Sequence, residues 1–249
     1  MRAGTGNERE DSMGMYDRNL ALWGSEAQDR LASSRVAVFG LGGVGGHALE
    51  ALARAGVGCL ALVDGDEVEE SNLNRQLIAT RDTVGMRKTQ AAERRLREIR
   101  PDMEIESYDL FYLPETADKI DLSRFDCIVD AIDTMTAKIE LIVRADALGV
   151  PVVSAMGCGN KLDPTRFEIA DLYETQTDPV ARILRRELKK RGVRKLRVVY
   201  SREEPRSAGG AGTRGTAGRP APGSVSFVPG AAGLALAAET VRILIGGFL

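Results

Sequence analysis

The sequence has few of the side chains that hold soft metals or build disulfide frameworks: three cysteines, Cys59, Cys127 and Cys158, and one histidine, His47, among 249 residues. No CxxC pair occurs, so a zinc site of the usual spacing is excluded and no zinc is expected. The cysteines lie far apart, two of them in apolar runs, which suits core packing and a reducing, cytoplasmic setting. The first eleven residues are polar and have no signal-peptide core, and residues 1–15 read as a disordered tail. A long apolar run is found only at Gly230–Ile245, where Glu239 and Arg242 interrupt a stretch shorter than the ~20 residues that span a bilayer. A core or interface helix is expected there, and no membrane partner. A net charge of -2 gives no global pull toward nucleic acid, so any such affinity must come from a local patch.

What is present begins at Val36-Ala-Val-Phe39, a short apolar run patterned like a strand buried on both faces. Gly40, Gly42, Gly43 and Gly45 follow, allowing a tight turn and close approach of the backbone to a phosphate. A helical stretch from Ala48 to Ala55 offers its N-terminal N–H groups and positive dipole end to an anion. A second apolar strand, Cys59–Val63, ends in Asp64, which can hydrogen-bond a ribose. This is a nucleotide-binding βαβ unit. Judged by the glycines and the acid alone, a dinucleotide-dependent dehydrogenase fits as well as any other nucleotide enzyme.

Along the rest of the chain, residues 17–31 read as a partly helical lead-in broken near Gly24. Leu20, Leu22 and Trp23 are expected to pack on the domain or on a second subunit. Helices are expected over 84–99, 138–148 and 180–191, and strands over 104–108, 125–133, 151–155, 167–170 and 196–201. The strand at 104–108 has the look of an edge. Basic residues crowd the helix at 180–191 and its exit: Arg182, Arg185, Arg186, Lys189, Lys190, Arg191, Arg194, Lys195 and Arg197, against the single acid Glu187. Residues 205–223 are rich in Gly, Ala, Pro, Ser and Arg without hydrophobic periodicity, and are expected to be a mobile loop. One domain over 16–249 is expected, with 157–249 as a substrate-side extension.

Gly40-Leu-Gly-Gly-Val-Gly45, Asp64-Gly-Asp66, Ser71-Asn-Leu-Asn-Arg-Gln76, Val84-Gly-Met-Arg-Lys88 and Asp130-Ala-Ile-Asp133 occur in one order and spacing. In this the chain resembles the ubiquitin-activating-enzyme-like superfamily, which includes MoeB and ThiF and adenylates carboxylates with ATP. The resemblance implies a Rossmann-like, mostly parallel α/β sheet with flanking helices, an adenylation domain of the ThiF/MoeB type. It assigns Gly40, Gly42, Gly43, Asp64, Asp66, Asn72 and Thr134 to nucleotide binding. Arg75 and Lys88 would neutralise charge building on the α-phosphate and the departing pyrophosphate. Asp133 would hold Mg2+, which needs few protein ligands. Arg18, a surface charge on its own, would reach the ATP site of the neighbouring subunit of a homodimer.

The second half narrows the likeness. Ser154-Ala-Met-Gly-Cys-Gly-Asn-Lys-Leu-Asp-Pro-Thr-Arg166, Thr175-Gln-Thr-Asp-Pro179, the basic helix and Ser226-Phe-Val-Pro-Gly-Ala-Ala-Gly233 resemble the tRNA threonylcarbamoyladenosine dehydratases, the TcdA or CsdL family. That resemblance implies a tRNA substrate carrying N6-threonylcarbamoyladenosine, a monovalent cation (Na+ or K+) near the loop after Ala155, and a cysteine-desulfurase system as partner. Asn160, Lys161, Asp163 and Arg166 are candidates for orienting the modified base, by loop position. Arg185, Arg186, Lys189 and Lys190 are candidates for tRNA phosphates. Two other readings stay open: adenylation of a sulfur-carrier protein's C-terminus, for which the usual zinc cysteines are missing, and a noncatalytic nucleotide-dependent scaffold.

Overall fold

A computed structural model describes residues 14–207 and 222–247. The first thirteen residues of the expected tail, and most of the expected loop at 205–223, lie outside the described residues. The sheet has seven strands: β1 (Arg35–Phe39), β2 (Cys59–Val63), β3 (Glu104–Tyr108), β4 (Cys127–Asp130), β5 (Val152–Ala155), β6 (Phe167–Asp171) and β7 (Arg197–Ser201). Their order is β3-β2-β1-β4-β5-β7-β6, parallel except for the antiparallel β6 at one edge. β3 is the other edge, as its mixed polar pattern indicates.

Among the described residues six α-helices accompany the sheet: α1 (Asp17–Ser33), α2 (Gly45–Ala55), α3 (Lys88–Ile99), α4 (Met135–Leu148), α5 (Pro179–Lys190) and α6 (Phe227–Ile245). The period of two in a strand sorts the core. Val36 and Val38 of β1 join Leu60, Leu62, Leu52, Ala232 and Leu236 on one face. Ala37 and Phe39 join Ala61, Val63, Leu141 and Leu184 on the other. A register slip of one residue would exchange these two sets, and both faces are sealed by helices.

α6 is long and apolar enough to cross a membrane by length and composition, yet 61% of its most apolar window is buried inside the domain. Ala232, Leu236 and Val241 face the first core, and Gly233 lies against Val44 and His47 of the α2 region. The residues after 157 thus add β6 and β7 to the same sheet and send α6 back onto its first half. α1 is kinked at Gly24, whose φ is +79°. Trp23 packs on the first core and donates to Gln28 at 3.1 Å, whereas Leu22 is 83% exposed.

Several boundaries differ from the sequence reading, among them three beside the strand ends. The expected helix at 84–99 starts only at Lys88, because Val68 and Gly85–Met86 exchange backbone hydrogen bonds of 2.8 Å and Gly85 has φ +86°. That short pairing holds Lys88 at the head of α3. The strand expected to run to Asp133 stops at Asp130, whose own carboxylate accepts the Ile132 N–H at 3.2 Å and bends the chain. The following helix starts at Met135, three residues earlier than its apolar pattern suggests.

Candidate nucleotide and adenylation site

The strand order reverses between β1 and β4, and at such a switch point the turns leaving the strand ends diverge and open a crevice. On one side lies the glycine turn. Gly40 has φ +86°, and a Cβ there would sit 2.6 Å from the carbonyl oxygen of Ala131, in the turn after β4. A Cβ on Gly45 would strike the carbonyl oxygen of Gly40. These two positions are therefore glycine for close packing. Gly42 and Gly43 have another character. A Cβ on Gly42 would meet nothing nearer than Gln76 Nε2 at 3.9 Å, and one on Gly43 would touch Pro229 at 3.3 Å and the Arg75 stem at 3.4 Å. The turn is thus a cradle walled by Arg75 and the start of α6.

Asp64 ties this cradle to the loop beside it. Its Oδ2 accepts the Leu41 N–H at 2.7 Å and its Oδ1 accepts the Asp66 N–H at 2.8 Å. The Lys88 ammonium stands 2.7 Å from Asp66 and 3.9 Å from Asp64. Burial pushes the Asp64 carboxyl up, against the pull of Lys88 and the two backbone donors. A carboxylate has about four lone-pair sites, so two remain for ribose hydroxyls. Lys88 is itself nearly buried, a cation held at the crevice by two acids.

Arg75 extends from the 73–76 turn, and its guanidinium donates to Ser71 O and Asn74 Oδ1, both at 2.9 Å. Asn72 is buried and its side chain accepts the Glu69 N–H at 3.1 Å, so it shapes the turn that presents Arg75. Asp133 and Thr134 are exposed in the turn after β4, Thr134 Oγ1 lying 3.3 Å from Asp133 Oδ1. That carboxylate is free to hold a hard cation. Asp130, just before it, is fully buried and bonded to Lys138 at 2.7 Å and Ser154 at 2.6 Å.

Two residues of this site carried no role in the sequence reading. Gln76 is only 7% exposed, and its Oε1 has no hydrogen-bond partner among the described residues. Its amide faces Gly42, and an unpaired buried carbonyl oxygen there calls for a ligand or water. Phe111 is 57% exposed and its ring lies against Gly65, beside Asp64, where it offers an aromatic face to a base. The only signal for it is an aromatic residue just past a strand end, among apolar neighbours that do not set it apart.

The remaining candidates divide. Arg18 is exposed on α1, and its neighbour Asn19 donates to the carbonyls of Arg54 and Ala55 at the far end of α2. Eleven helical residues, roughly 16 Å, separate that end from the glycine turn, so Arg18 does not reach its own crevice. Lys161 is turned inward, its ammonium 2.6 Å from Gly157 O and 3.0 Å from the buried Asp178 carboxylate. It secures the loop rather than facing a substrate. Asp163 accepts from the Thr165 N–H and hydroxyl and caps the next turn. Arg166 is exposed.

On α5, Arg186, Lys189 and Lys190 are exposed, while Arg185 folds back onto Thr175. Glu187 bonds Arg191, Lys190 and Arg186, which pull its carboxyl down to about 2. The helix is ~18 Å long and its N-cap Asp178 lies against Gly157 in the loop after β5, so its last lysines stand at the end away from that loop. Cys158 is half-buried in the loop after β5, and burial pushes its thiol up to about 12, leaving it protonated and a poor nucleophile at neutral pH. Among the described residues three ligand-type groups converge only at Cys59, Glu104 and Glu106, near β3. Arg35 already pairs with both glutamates there.

Comparison with known proteins places this arrangement. The model of the ThiF family matches residues 16–247. A tRNA threonylcarbamoyladenosine dehydratase of Bacillus subtilis is 39% identical over 239 residues, covering 92% of this chain and 94% of that one. The Escherichia coli protein of the same name is 38% identical over 168 residues, 68% of this chain and 63% of the relative. The structure of that protein in complex with ATP superposes with a TM-score of 0.82 at 29% identity, covering 93% of this chain and 94% of the other.

Proposed function

Since the chain belongs to the ThiF family, and within it to the tRNA threonylcarbamoyladenosine dehydratases, we infer that it uses ATP to cyclise N6-threonylcarbamoyladenosine in tRNA with net loss of water. The observation that carries the reading is the convergence of the Gly42–Gly43 cradle, Arg75, and Lys88 held by Asp64 and Asp66 on one crevice. A carboxylate oxygen of the modification attacks the α-phosphorus, the bond to the β-phosphate bridging oxygen breaks, and pyrophosphate leaves. A nucleophile within the same modification then attacks the acyl carbon, and AMP departs with the former carboxylate oxygen. No enzyme nucleophile enters, which suits the protonated thiol of Cys158.

Arg75, Lys88 and the N–H groups of the glycine turn stabilise the charge that builds on the α-phosphate and on the leaving group. Asp64 binds ribose, and Asp66 and Asn72 shape the walls. Asp133 would hold Mg2+ through its exposed carboxylate, and the ion would supply neutralising charge at the leaving pyrophosphate. A monovalent cation after β5 would share its turn with the Lys161 ammonium and has no step here. A cysteine-desulfurase partner has none either, because no sulfur moves. The exposed α5 cations and Arg166 would take RNA phosphates outside the crevice. We place the reaction in the cytoplasm, with the tRNA.

The test is release of AMP and pyrophosphate from ATP and Mg2+ with tRNA carrying the modification, against unmodified tRNA. Release is expected only with the modified tRNA, and Arg75→Ala and Asp133→Ala should each lower kcat by about 100-fold or more. Turnover with a sulfur-carrier C-terminus instead of tRNA would overturn the assignment.

A further inference from the structure

Asn160 holds two stretches of chain that are distant in sequence. Its N–H donates to Gly223 O at 2.8 Å, its Oδ1 accepts the Gly223 N–H at 2.7 Å, and its carbonyl accepts the Arg206 N–H at 2.8 Å. All three polar groups of the residue's backbone and acceptor side are thus committed within the protein. To make these bonds it adopts φ +60°, a conformation seen at one other non-glycine residue among those described, Thr177. Asn is among the few side chains that tolerate this region, and such strain persists where surrounding bonds over-determine it. The preceding Gly159 lies so close to Pro222 that a Cβ would approach it to 2.7 Å.

The segment that Asn160 grips continues directly into the nucleotide site. The carbonyl of Ser224 accepts from Asn74 Nδ2 at 3.1 Å, and Asn74 Oδ1 accepts from the Arg75 guanidinium at 2.9 Å. Five residues on, Pro229 closes the wall over Gly43, beside the Arg75 stem. Residues 222–229 are therefore a strap. One end is pinned to the loop after β5 and the other rests on the phosphate cradle.

We propose that Asn160 is a positioning residue for the nucleotide half of the site, acting through the 222–229 strap on Asn74, Arg75 and Gly43. It couples the loop on the RNA side to the cation beside the phosphates and does not itself touch the modified base. The proposal rests on the reading of the glycine crevice as an ATP site and adds a residue outside that crevice to its control. Its consequence is that loss of the Asn160 side chain is read at ATP, not at tRNA.

The experiment uses the full chain and two substitutions. Asn160→Gly keeps the left-handed backbone and removes Oδ1; Asn160→Asp keeps an acceptor at the same place. ATP affinity is measured by titration calorimetry without tRNA, and AMP formation is followed with modified tRNA. Asn160→Gly is expected to weaken ATP binding about five- to tenfold and to lower kcat, with KM for tRNA unchanged, and Asn160→Asp to restore both. Far-ultraviolet circular dichroism and the unfolding midpoint check that both variants fold. In a double-mutant cycle with Asn74→Ala, the two losses should fall short of multiplying, since both cut one strap.

Wild-type ATP affinity in Asn160→Gly would overturn the proposal, as would a loss confined to KM for tRNA, or full multiplication in the cycle. Failure of the wild-type chain to bind ATP would be a different result. It would remove the nucleotide reading on which the strap depends.

Discussion

Asp130 and Lys138 are 0% and 2% exposed, a carboxylate and an ammonium with almost no water around either. Each loses hydration that the 2.7 Å contact alone offsets poorly, and Ser154 Oγ, donating to Asp130 at 2.6 Å, supplies the further bond that such a pair needs. The group locks β4, α4 and β5 around the turn that carries Asp133. Lys138→Met should leave an uncompensated buried carboxylate and cost about 3–5 kcal/mol in urea unfolding. Removing both charges in Asp130→Asn/Lys138→Met should recover a large part of that loss. Equal stability of Lys138→Met and the wild type would show that the pair carries no structural weight. One sequence discloses little of this: Lys138 reads as an ordinary residue opening a helix, and nothing in its spacing says that it points inward. Lys161 went astray for the same reason. A lysine in a polar loop looks like a free cation until the buried Asp178 is seen beneath it. That the glycines, Asp64 and Lys88 would meet in one crevice was legible, because their convergence follows from order and spacing, which a sequence displays directly.

At the scale of elements, α6 closes the first core and supplies Pro229 to the cradle, so its anchoring bears on the site. Its single buried acid, Glu239, is 2% exposed and bonds Arg242 on its own helix and Arg197 on β7. The Arg242 hydrogen bonds, opposed by burial and aided by Arg197, hold the Glu239 carboxyl below its usual 4.5. A depressed carboxylate contributes stability that is fully present above its unfolded pKa, near 4.5, and is lost as pH falls through the lower folded value. Both arginines are more than a third exposed, so Glu239→Gln should cost only about 1–2 kcal/mol at pH 7. The gap between wild type and variant in chemical unfolding should stay constant down to about pH 5 and narrow below 4.5. A gap that widened on acidification would reverse the sign. α6 was read as a core or interface helix because Glu239 and Arg242 broke its apolar run; the same two residues anchor it. The start of α3 was misread by four residues because Val84 and Met86 fit an apolar helix face, while the pairing of Gly85 with Val68 is a contact across seventeen residues that local pattern does not contain.

At the scale of the whole molecule, the sheet puts the crevice at one end of the strands and α1 at the other end of α2. Arg18 therefore cannot serve the crevice of its own chain, and the resemblance that gives it an ATP contact requires a second copy. The surface around it suits such a contact. Leu22 is 83% exposed and Leu234 is 55% exposed, and a groove of about 450 Å3 between α1, α2 and α6 is lined by Asn19, Trp23, His47, Leu77 and Leu234. Exposed leucines on α1 and α6, one of them lining that groove, are a feature of surfaces that another protein covers. If the chain is a homodimer with shared sites, Arg18→Ala and Lys88→Ala should each abolish AMP formation alone, for different reasons. Mixed and allowed to exchange subunits, they should complement each other. A site with its own Lys88, facing a partner that retains Arg18, is whole, whereas the second site of that mixed dimer lacks both. Equal mixing makes half the dimers mixed, each with one working site, so activity should return to about a quarter of wild type. No recovery, with exchange verified by tagged subunits, would confine each site to one chain and return Arg18 to a solvated surface charge.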